Sequence, residues 1–201
     1  MAPATADSRV PPHHHAVQFY GSDDALFTTV AGFVSEGLVA GQPAVLIATE
    51  SHTQSILDHL SARFIDVDRA RHIGDLIVLD AENTLATFMK AEEPDAICFK
   101  RHVGDVIEQA LGGRVRTPVR AYGEMVDVLW KQDKAEAAIK LEILWNELAT
   151  THTFSLLCGY SMGNFYKQAQ QFEAVCKQHT HVIKLEPNVI PFERRKVART
   201  A

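Results

Sequence analysis

Runs of aliphatic residues, each long enough for one strand, alternate along this chain with segments of helical periodicity. The clearest run, 43-PAVLIAT-49, is apolar at nearly every position, which is typical of a strand that is covered on both faces. Before it, apolar residues recur every three or four positions from Leu26 to Leu38, which predicts a helix. Strands that alternate with helices form parallel sheets. The sequence therefore predicts the α/β class, with a mostly parallel central sheet and helices on both faces.

The same alternation extends over most of the chain. Predicted strands cover residues 16–20, 43–49, 76–81, 118–124 and 153–160, and 181–186 is a candidate edge strand. The first helix begins after Ser22, a good N-cap ahead of Asp23 and Asp24. Further helices are predicted at 51–64, 83–90, 94–111, 124–132, 136–148 and 164–178. A chain of 201 residues, 46% of them apolar, needs only one domain with one core.

Charge and cysteine usage narrow the compartment and the kinds of partner. The formal net charge is -5, and the one basic cluster lies near the C-terminus at 194–199, so we expect no direct contact with nucleic acid. Three widely spaced cysteines without a Cys-x-x-Cys pair fit a reducing environment. No signal peptide or membrane-spanning run is recognisable. We expect a cytoplasmic protein that does not associate with membranes.

No pattern in the sequence supports catalysis. The turn after the second predicted strand, 48-ATESHTQS-55, has neither the glycines nor the lysine of a P-loop, which argues against nucleotide hydrolysis. Cys158 and Ser155 lie inside a predicted strand without a Gly-x-Ser-x-Gly turn, so we expect them to be unreactive. These observations favour a protein that is not an enzyme and has no catalytic residues.

Carboxylates and metal-ligand side chains also have structural explanations. Carboxylates on helices are usually solvated, and the predicted helices carry two pairs of them, Glu124 with Asp127 and Glu142 with Glu147. Cys176, His179 and His181 offer metal-ligand types at short spacing, but no second pair of ligands completes a zinc site. We therefore expect no bound metal and no cofactor.

Aromatic and polar residues together form the best candidate site. In a parallel sheet, ligands bind beyond the carboxyl ends of the strands, and an organic ligand needs apolar walls with a few orienting polar groups. Core packing explains each aromatic residue taken singly. As a set, the residues predicted to bind a ligand are His15, Phe19, Tyr20, Arg120, Tyr122, Glu124, Trp130, Trp145, Asn146 and Tyr160.

An ordered series of blocks resembles one protein family. The blocks are 15-HAVQFYGSDDAL-26, 37-GLVAGQPAVLIAT-49, 79-LDAENTLATFM-89, 119-VRAYGEMVDVLWKQ-132, 141-LEILWNELA-149, 154-FSLLCGY-160 and 176-CKQHTHV-182. Together they resemble the MEDS domain, a sensory domain named for methanogens, methylotrophs and a dichloromethane-responsive regulator. The resemblance implies a RecA/KaiC-like fold without a functional P-loop. It places the domain at 15–186, between a disordered tail at 1–14 and a C-terminal tail at 187–201.

The resemblance also implies a role in bacterial signal transduction. We expect a sensor that binds a small organic ligand and relays the signal to a partner such as a histidine kinase or a transcription regulator, with a homodimer as one possible state. No kinase or helix-turn-helix segment is recognisable after 186, so we expect either a stand-alone sensor or part of a longer protein. The alternatives are a ligand-free interaction adaptor or anti-sigma-type regulator, and a degenerate RecA-like nucleotide-binding protein.

Overall fold

A six-stranded parallel sheet forms the centre of the molecule. The computed structural model describes residues 14–115, 117–164 and 169–183. Its strands are β1 (His15–Tyr20), β2 (Ala44–Ala48), β3 (Leu76–Asp80), β4 (Met89–Lys90), β5 (Glu93–Pro94), β6 (Val119–Gly123), β7 (Phe154–Ser161) and β8 (His181–Ile183). The order across the main sheet is β3-β2-β6-β7-β1-β8, and every pairing in it is parallel. Strands β4 and β5 form a separate antiparallel pair.

Helices cover both faces of this sheet. They are α1 (Asp23–Val39), α2 (Glu50–Ala62), α3 (Val67–His72), α4 (Ala81–Ala86), α5 (Ala96–Leu111), α6 (Met125–Lys131), α7 (Ala135–Leu148) and α8 (Ala169–Gln178). One buried cluster joins the sheet to helices α4 to α8, and a second joins its other face to α1, α2 and α3. The predicted α/β class is confirmed, including the parallel sheet and its two helical layers.

Local signals explain where several helices begin. The Ser22 side chain accepts a hydrogen bond from the Ala25 backbone N–H and caps α1, as predicted. Asp80 and Asp95 cap α4 and α5 in the same way. The apolar stripe of α7, from Ala138 to Leu148, is buried against the sheet.

The region between β3 and α5 differs from the prediction. Instead of a helix at 83–90, α4 ends at Ala86 and the chain makes a small hairpin with β4 and β5. Its turn places Ala91 and Glu92 at positive φ angles of 47° and 72°, which no helix could continue through. Helix α3 was also not predicted, and the predicted tails lie almost wholly outside the described residues. Among the residues described here, no helix is long and apolar enough to cross a membrane.

Candidate ligand-binding site

The strand order creates a crevice at the carboxyl ends of β2 and β6. From β2 the chain continues to β3 on one side, and from β6 it continues to β7 on the other. Connections that leave neighbouring strands in opposite directions open a gap between the strand ends, and parallel α/β sheets bind ligands in such gaps. This is the position in the fold at which a ligand site is expected.

A cleft of about 560 Å³ lies at this crevice. It is lined by Thr49, Glu50, Ser51, Asp80, Glu82, Asn83, Val128, Lys131 and Gln132. These residues follow the ends of β2 and β3 or belong to α2, α4 and α6. Among the described residues the lining is mostly polar, with three carboxylates and one lysine. Its charge therefore favours neutral or cationic molecules over anions.

A buried carboxylate supports the wall of this cleft. Glu124, 2% exposed, directly follows β6 and accepts hydrogen bonds from the backbone N–H of Thr49 and from the Tyr122 hydroxyl at 3.0 Å. The oxygen that accepts from Tyr122, Oε2, also pairs with Nδ1 of His52 at 2.8 Å. Gly159 in β7 makes room for this network, because a Cβ there would lie only 2.8 Å from the Tyr122 hydroxyl.

The network around Glu124 shifts the pKa values of its members. Burial alone would raise the pKa of Glu124, but hydrogen bonds from His52 and Thr49 outweigh it and hold that pKa below its ordinary value. The hydrogen bond to Glu124 raises the pKa of His52, against the opposing effect of burial. Burial, reinforced by the negative charge of Glu124, raises the pKa of the Tyr122 hydroxyl well above 10.0. While His52 is protonated, its imidazolium and the Glu124 carboxylate form a buried ion pair.

A second carboxylate links the cleft to strands β1 and β7. Asp127 in α6 accepts hydrogen bonds from the Tyr20 hydroxyl at 3.1 Å and from the Ser161 backbone N–H at 2.9 Å. Lys131 Nζ lies 2.8 Å from its Oδ2 atom. Lys131 also lines the cleft, so a ligand that contacts it would act directly on the Asp127 interactions.

Replacing His52 by asparagine should change the pH dependence of stability. The folded-state pKa of His52 is raised above 6.5, so its protonation stabilises the fold fully below pH 6.5, and this contribution is lost as pH rises through the folded pKa. The charges that act on its ring are Glu124, Asp23 and Lys131, and Glu124 stays ionised in this range. The difference in melting temperature between wild type and H52N should therefore shrink as pH rises.

Thermal unfolding between about pH 6 and pH 9 measures this difference. His72→Asn, on the exposed surface of α3, is the matched control and should leave the wild-type pH profile unchanged. A difference between wild type and H52N that is constant over this range would contradict the ion pair.

The structure divides the ten predicted ligand-binding residues into separate groups. Tyr20, Tyr122 and Glu124 belong to the polar networks beside the cleft. None of the ten lines the cleft itself. The role of the ten residues in ligand binding stays a prediction. Tyr20, Tyr122 and Glu124 nevertheless support residues that do line the cleft.

Four of the predicted residues are aromatic side chains of the buried core. Phe19, Trp130, Trp145 and Tyr160 are each at most 4% exposed. The Trp130 and Tyr160 rings meet edge to face with centroids 5.7 Å apart, and Phe19 stacks on Tyr160 at 5.9 Å. The core-packing explanation that the sequence left open therefore describes where these side chains lie.

Arg120 lies at the opposite end of the sheet from Glu124. Its backbone N–H donates to the Pro43 carbonyl, before β2 begins, and its Nε donates to Gln42 Oε1 at 2.7 Å. The guanidinium stands over the Phe33 ring, 5.0 Å from its centroid. The two residues are only four positions apart in sequence, but they do not belong to one site.

His15 and Asn146 meet in a third place, between β1 and α7. His15 Nδ1 lies 2.9 Å from Asn146 Oδ1, and His15 Nε2 lies 3.1 Å from Glu142 Oε2. Tyr160 donates to the other Glu142 oxygen at 2.8 Å. Glu142 is completely buried, so the prediction that helix carboxylates are solvated is wrong for it and for Asp127, and Glu124 at the start of α6 is buried as well. Each of the three is buried because hydrogen-bond donors from distant segments surround it.

Several residues at the cleft or beside it were not predicted from the sequence. Ser51, which lines the cleft, and His52, which pairs with Glu124, lie in the first turn of α2; Lys131 ends α6 and Gln132 follows it. A signal was available in their position, since both segments directly follow strand ends. Their convergence depended on β2 and β6 being neighbours, which no local pattern reveals.

Comparisons with known proteins support the fold and identify the family. A KaiC-like protein from the hyperthermophilic archaeon Pyrococcus horikoshii OT3 shares the fold at a TM-score of 0.54 and 14% identity, over 81% of this chain and 68% of that chain. The chain has a RecA-like fold of the KaiC type, yet no lysine in its sequence precedes serine or threonine, so the P-loop motif is absent. No curated protein sequence matches the chain. The family model of the MEDS domain, the methanogen/methylotroph, DcmR sensory domain, matches residues 14–180, and the chain therefore belongs to the MEDS family.

Proposed function

We propose that this chain is a non-enzymatic sensory domain that binds a small polar organic molecule in the cleft between β2, β3 and α6. Membership of a family of sensory domains suggests the sensory role. The observation that carries the proposal is the cleft itself, because it lies at the crevice where the strand order diverges. The bound state would be relayed to a partner such as a histidine kinase or a transcription regulator.

The charge of the cleft indicates the chemical class of the ligand. Glu50, Asp80 and Glu82 line it against the single cation of Lys131. Asp80 is partly committed, since its Oδ1 accepts the Asn83 backbone N–H at 2.7 Å. An anionic ligand would meet unfavourable electrostatics, whereas an amine or a neutral molecule with hydrogen-bonding groups would not. We therefore expect a neutral or cationic ligand.

Helix α6 offers a route for the signal. One side of it presents Val128, Lys131 and the following Gln132 to the cleft, while Asp127 contacts Tyr20 and the last residue of β7. A ligand changes the population of two arrangements only if it binds one more tightly. Contacts to Lys131 meet that condition when they compete with its ion pair to Asp127.

A variant that fills the cleft tests the proposal. Saturation-transfer NMR would be recorded with a panel of small amines, amides, alcohols, haloalkanes and carboxylates. We expect a neutral or cationic compound to bind wild type, and Ser51→Trp to reduce its affinity at least tenfold because the indole occupies the cleft. Glu36→Trp, on the exposed side of α1, is the matched control and should bind like wild type. Binding that persists in S51W would contradict the assignment of the cleft.

An exposed apolar surface favours a second candidate function. Val39, Phe64 and Ile73 are 79%, 98% and 53% exposed, and they border one shallow groove at the ends of α1, α2 and α3. Such a surface suits a protein partner. An interaction adaptor would use it without a ligand. In that case the same NMR panel should give no binding to wild type, which is the outcome that separates the two candidates.

A further inference from the structure

Four potential metal ligands converge between β1, β7, α7 and the end of α8, away from the cleft. They are His15 on β1, Cys158 on β7, Glu142 on α7 and His179 just after α8. One ligand atom from each lies within 4.8 Å of the others. The side chains of His15, Glu142 and His179 are fully buried, and Cys158 is buried as well. The sheet register explains the convergence, because His15 pairs with Leu156 and β8 brings Thr180 to the His15 carbonyl.

Four contacts within this cluster are close to the spacing of ligands around one ion. His15 Nε2 lies 3.1 Å from Glu142 Oε2 and 3.4 Å from Cys158 Sγ. Cys158 Sγ lies 3.4 Å from Glu142 Oε2, and His179 Nε2 lies 3.4 Å from Glu142 Oε1. Tetrahedral zinc bound by nitrogen, oxygen and sulfur keeps neighbouring ligand atoms about 3.3–3.6 Å apart. All four ligand atoms lie within 4.8 Å of one another, so closing the site would need movements of no more than about 1 Å.

Both imidazole rings are held by their outer nitrogen. His15 Nδ1 donates to Asn146 Oδ1 at 2.9 Å, and His179 Nδ1 donates to the Val175 carbonyl at 2.7 Å. Asn146 is itself oriented, because its Nδ2 donates to the Gln178 carbonyl at 3.0 Å. With a proton on Nδ1, each ring directs Nε2 towards the cluster. Metal-binding histidines are positioned by the same kind of outer hydrogen bond.

The cluster brings electron-rich atoms together in a buried space. Within the described part of the chain His179 Nε2 makes no hydrogen bond of good geometry, although it is buried and lies 3.4 Å from the Glu142 carboxylate. Because both Nδ1 protons are already donated outwards, the facing lone pairs are offset by the Cys158 thiol proton, by a second proton on a ring or by a bound cation. Two buried imidazolium ions beside one carboxylate would leave an excess positive charge, which is costly to bury.

We propose that His15, Glu142, Cys158 and His179 bind one Zn²⁺ ion in a closed tetrahedral site. Imidazole, thiolate and carboxylate ligands suit zinc, and four protein ligands leave no open position, so the role is structural. The Cys158 thiol releases its proton to solvent as the sulfur–zinc bond forms. The ion connects β1, β7, α7 and the segment after α8. No metal was predicted from the sequence because the cluster of Cys176, His179 and His181 lacked a second pair of ligands, whereas the fold brings His15, Glu142 and Cys158 to His179 from three other elements.

The experiment titrates the chelator-treated full chain with Zn²⁺ and with Co²⁺. We expect about one equivalent of either metal to bind, with the d–d bands of tetrahedral Co²⁺ and a thiolate-to-cobalt charge-transfer band. Cys158→Ser should lose the charge-transfer band, and His179→Ala should bind at least tenfold more weakly. Cys176→Ser is the matched thiol control and should keep both properties.

A second control excludes metal binding at the surface. The His14 and His181 rings lie 5.5 Å apart and are exposed, so they could hold an adventitious ion. The double variant His14→Ala/His181→Ala should bind metal like wild type. Loss of binding in this variant, with binding retained in C158S and H179A, would overturn the proposal. Absence of the charge-transfer band in wild type would also overturn it, whether or not the variants fold.

Discussion

Replacing Trp145 by alanine is expected to lower the free energy of unfolding by about 3–5 kcal/mol. The indole is 1% exposed and extends from α7 into the core beside the sheet. It meets Phe99 edge to face with ring centroids 5.3 Å apart, and Phe154 at 5.7 Å. Truncation would remove these contacts and leave a cavity that the surrounding rings cannot fill completely.

Urea unfolding of wild type and W145A measures this loss. Ile97→Ala is the control, because the Ile97 side chain is 80% exposed and its removal should change stability by no more than about 0.5 kcal/mol. The sequence analysis assigned Trp145 to the wall of a ligand pocket. Undiminished stability of W145A together with weaker ligand binding would favour that assignment over the packed core.

The strands were predictable because their sequence carries its own evidence of burial. All five residues of β2 are buried, as the unbroken apolar run predicted, and the same argument located β3, β6 and β7 to within a residue or two. Pairing order was not predictable in this way. The position of β6 between β2 and β7 depends on contacts between residues far apart in sequence.

Short elements escaped prediction for a different reason. Helix α3 and the pair of β4 and β5 are too brief to show a repeat of apolar residues. The Asp66 side chain caps α3 by accepting the Arg69 backbone N–H at 3.0 Å, but an isolated aspartate is a weak signal. These elements are fixed by local capping and by their neighbours in the fold.

The polar sites could be predicted only in part. Glu124 and Tyr122 were selected because they end a strand, and both do belong to the network beside the cleft. Glu142 looked like an ordinary helix carboxylate, since nothing near it in sequence reveals the histidines that surround it. A charged residue is buried when its partners arrive from elsewhere in the fold, and such partners leave no local pattern.

Replacing Glu124 by alanine should lower the free energy of unfolding by about as much as replacing Trp145 by alanine. The carboxylate is 2% exposed and pairs with His52 Nδ1 at 2.8 Å. Its removal would leave three donors, His52 Nδ1–H, the Thr49 N–H and the Tyr122 hydroxyl, without their acceptor. Each buried donor left unsatisfied costs about 1–3 kcal/mol, so we expect a total loss of about 3–5 kcal/mol. Glu124→Gln should lose less, because the amide oxygen still accepts one of these hydrogen bonds.

Urea unfolding at pH 7 compares these variants with Glu147→Ala. Glu147 pairs with Lys100 at 2.9 Å on the surface of α7, where both side chains are about half exposed, so its loss should cost less than about 1 kcal/mol. Because Glu124 holds the Thr49 backbone at the edge of the cleft, E124Q should also bind the cleft ligand more weakly than wild type does. If E124A were as stable as E147A, the ion pair with His52 would contribute little, and the shape of the cleft would have to depend on the apolar packing around it.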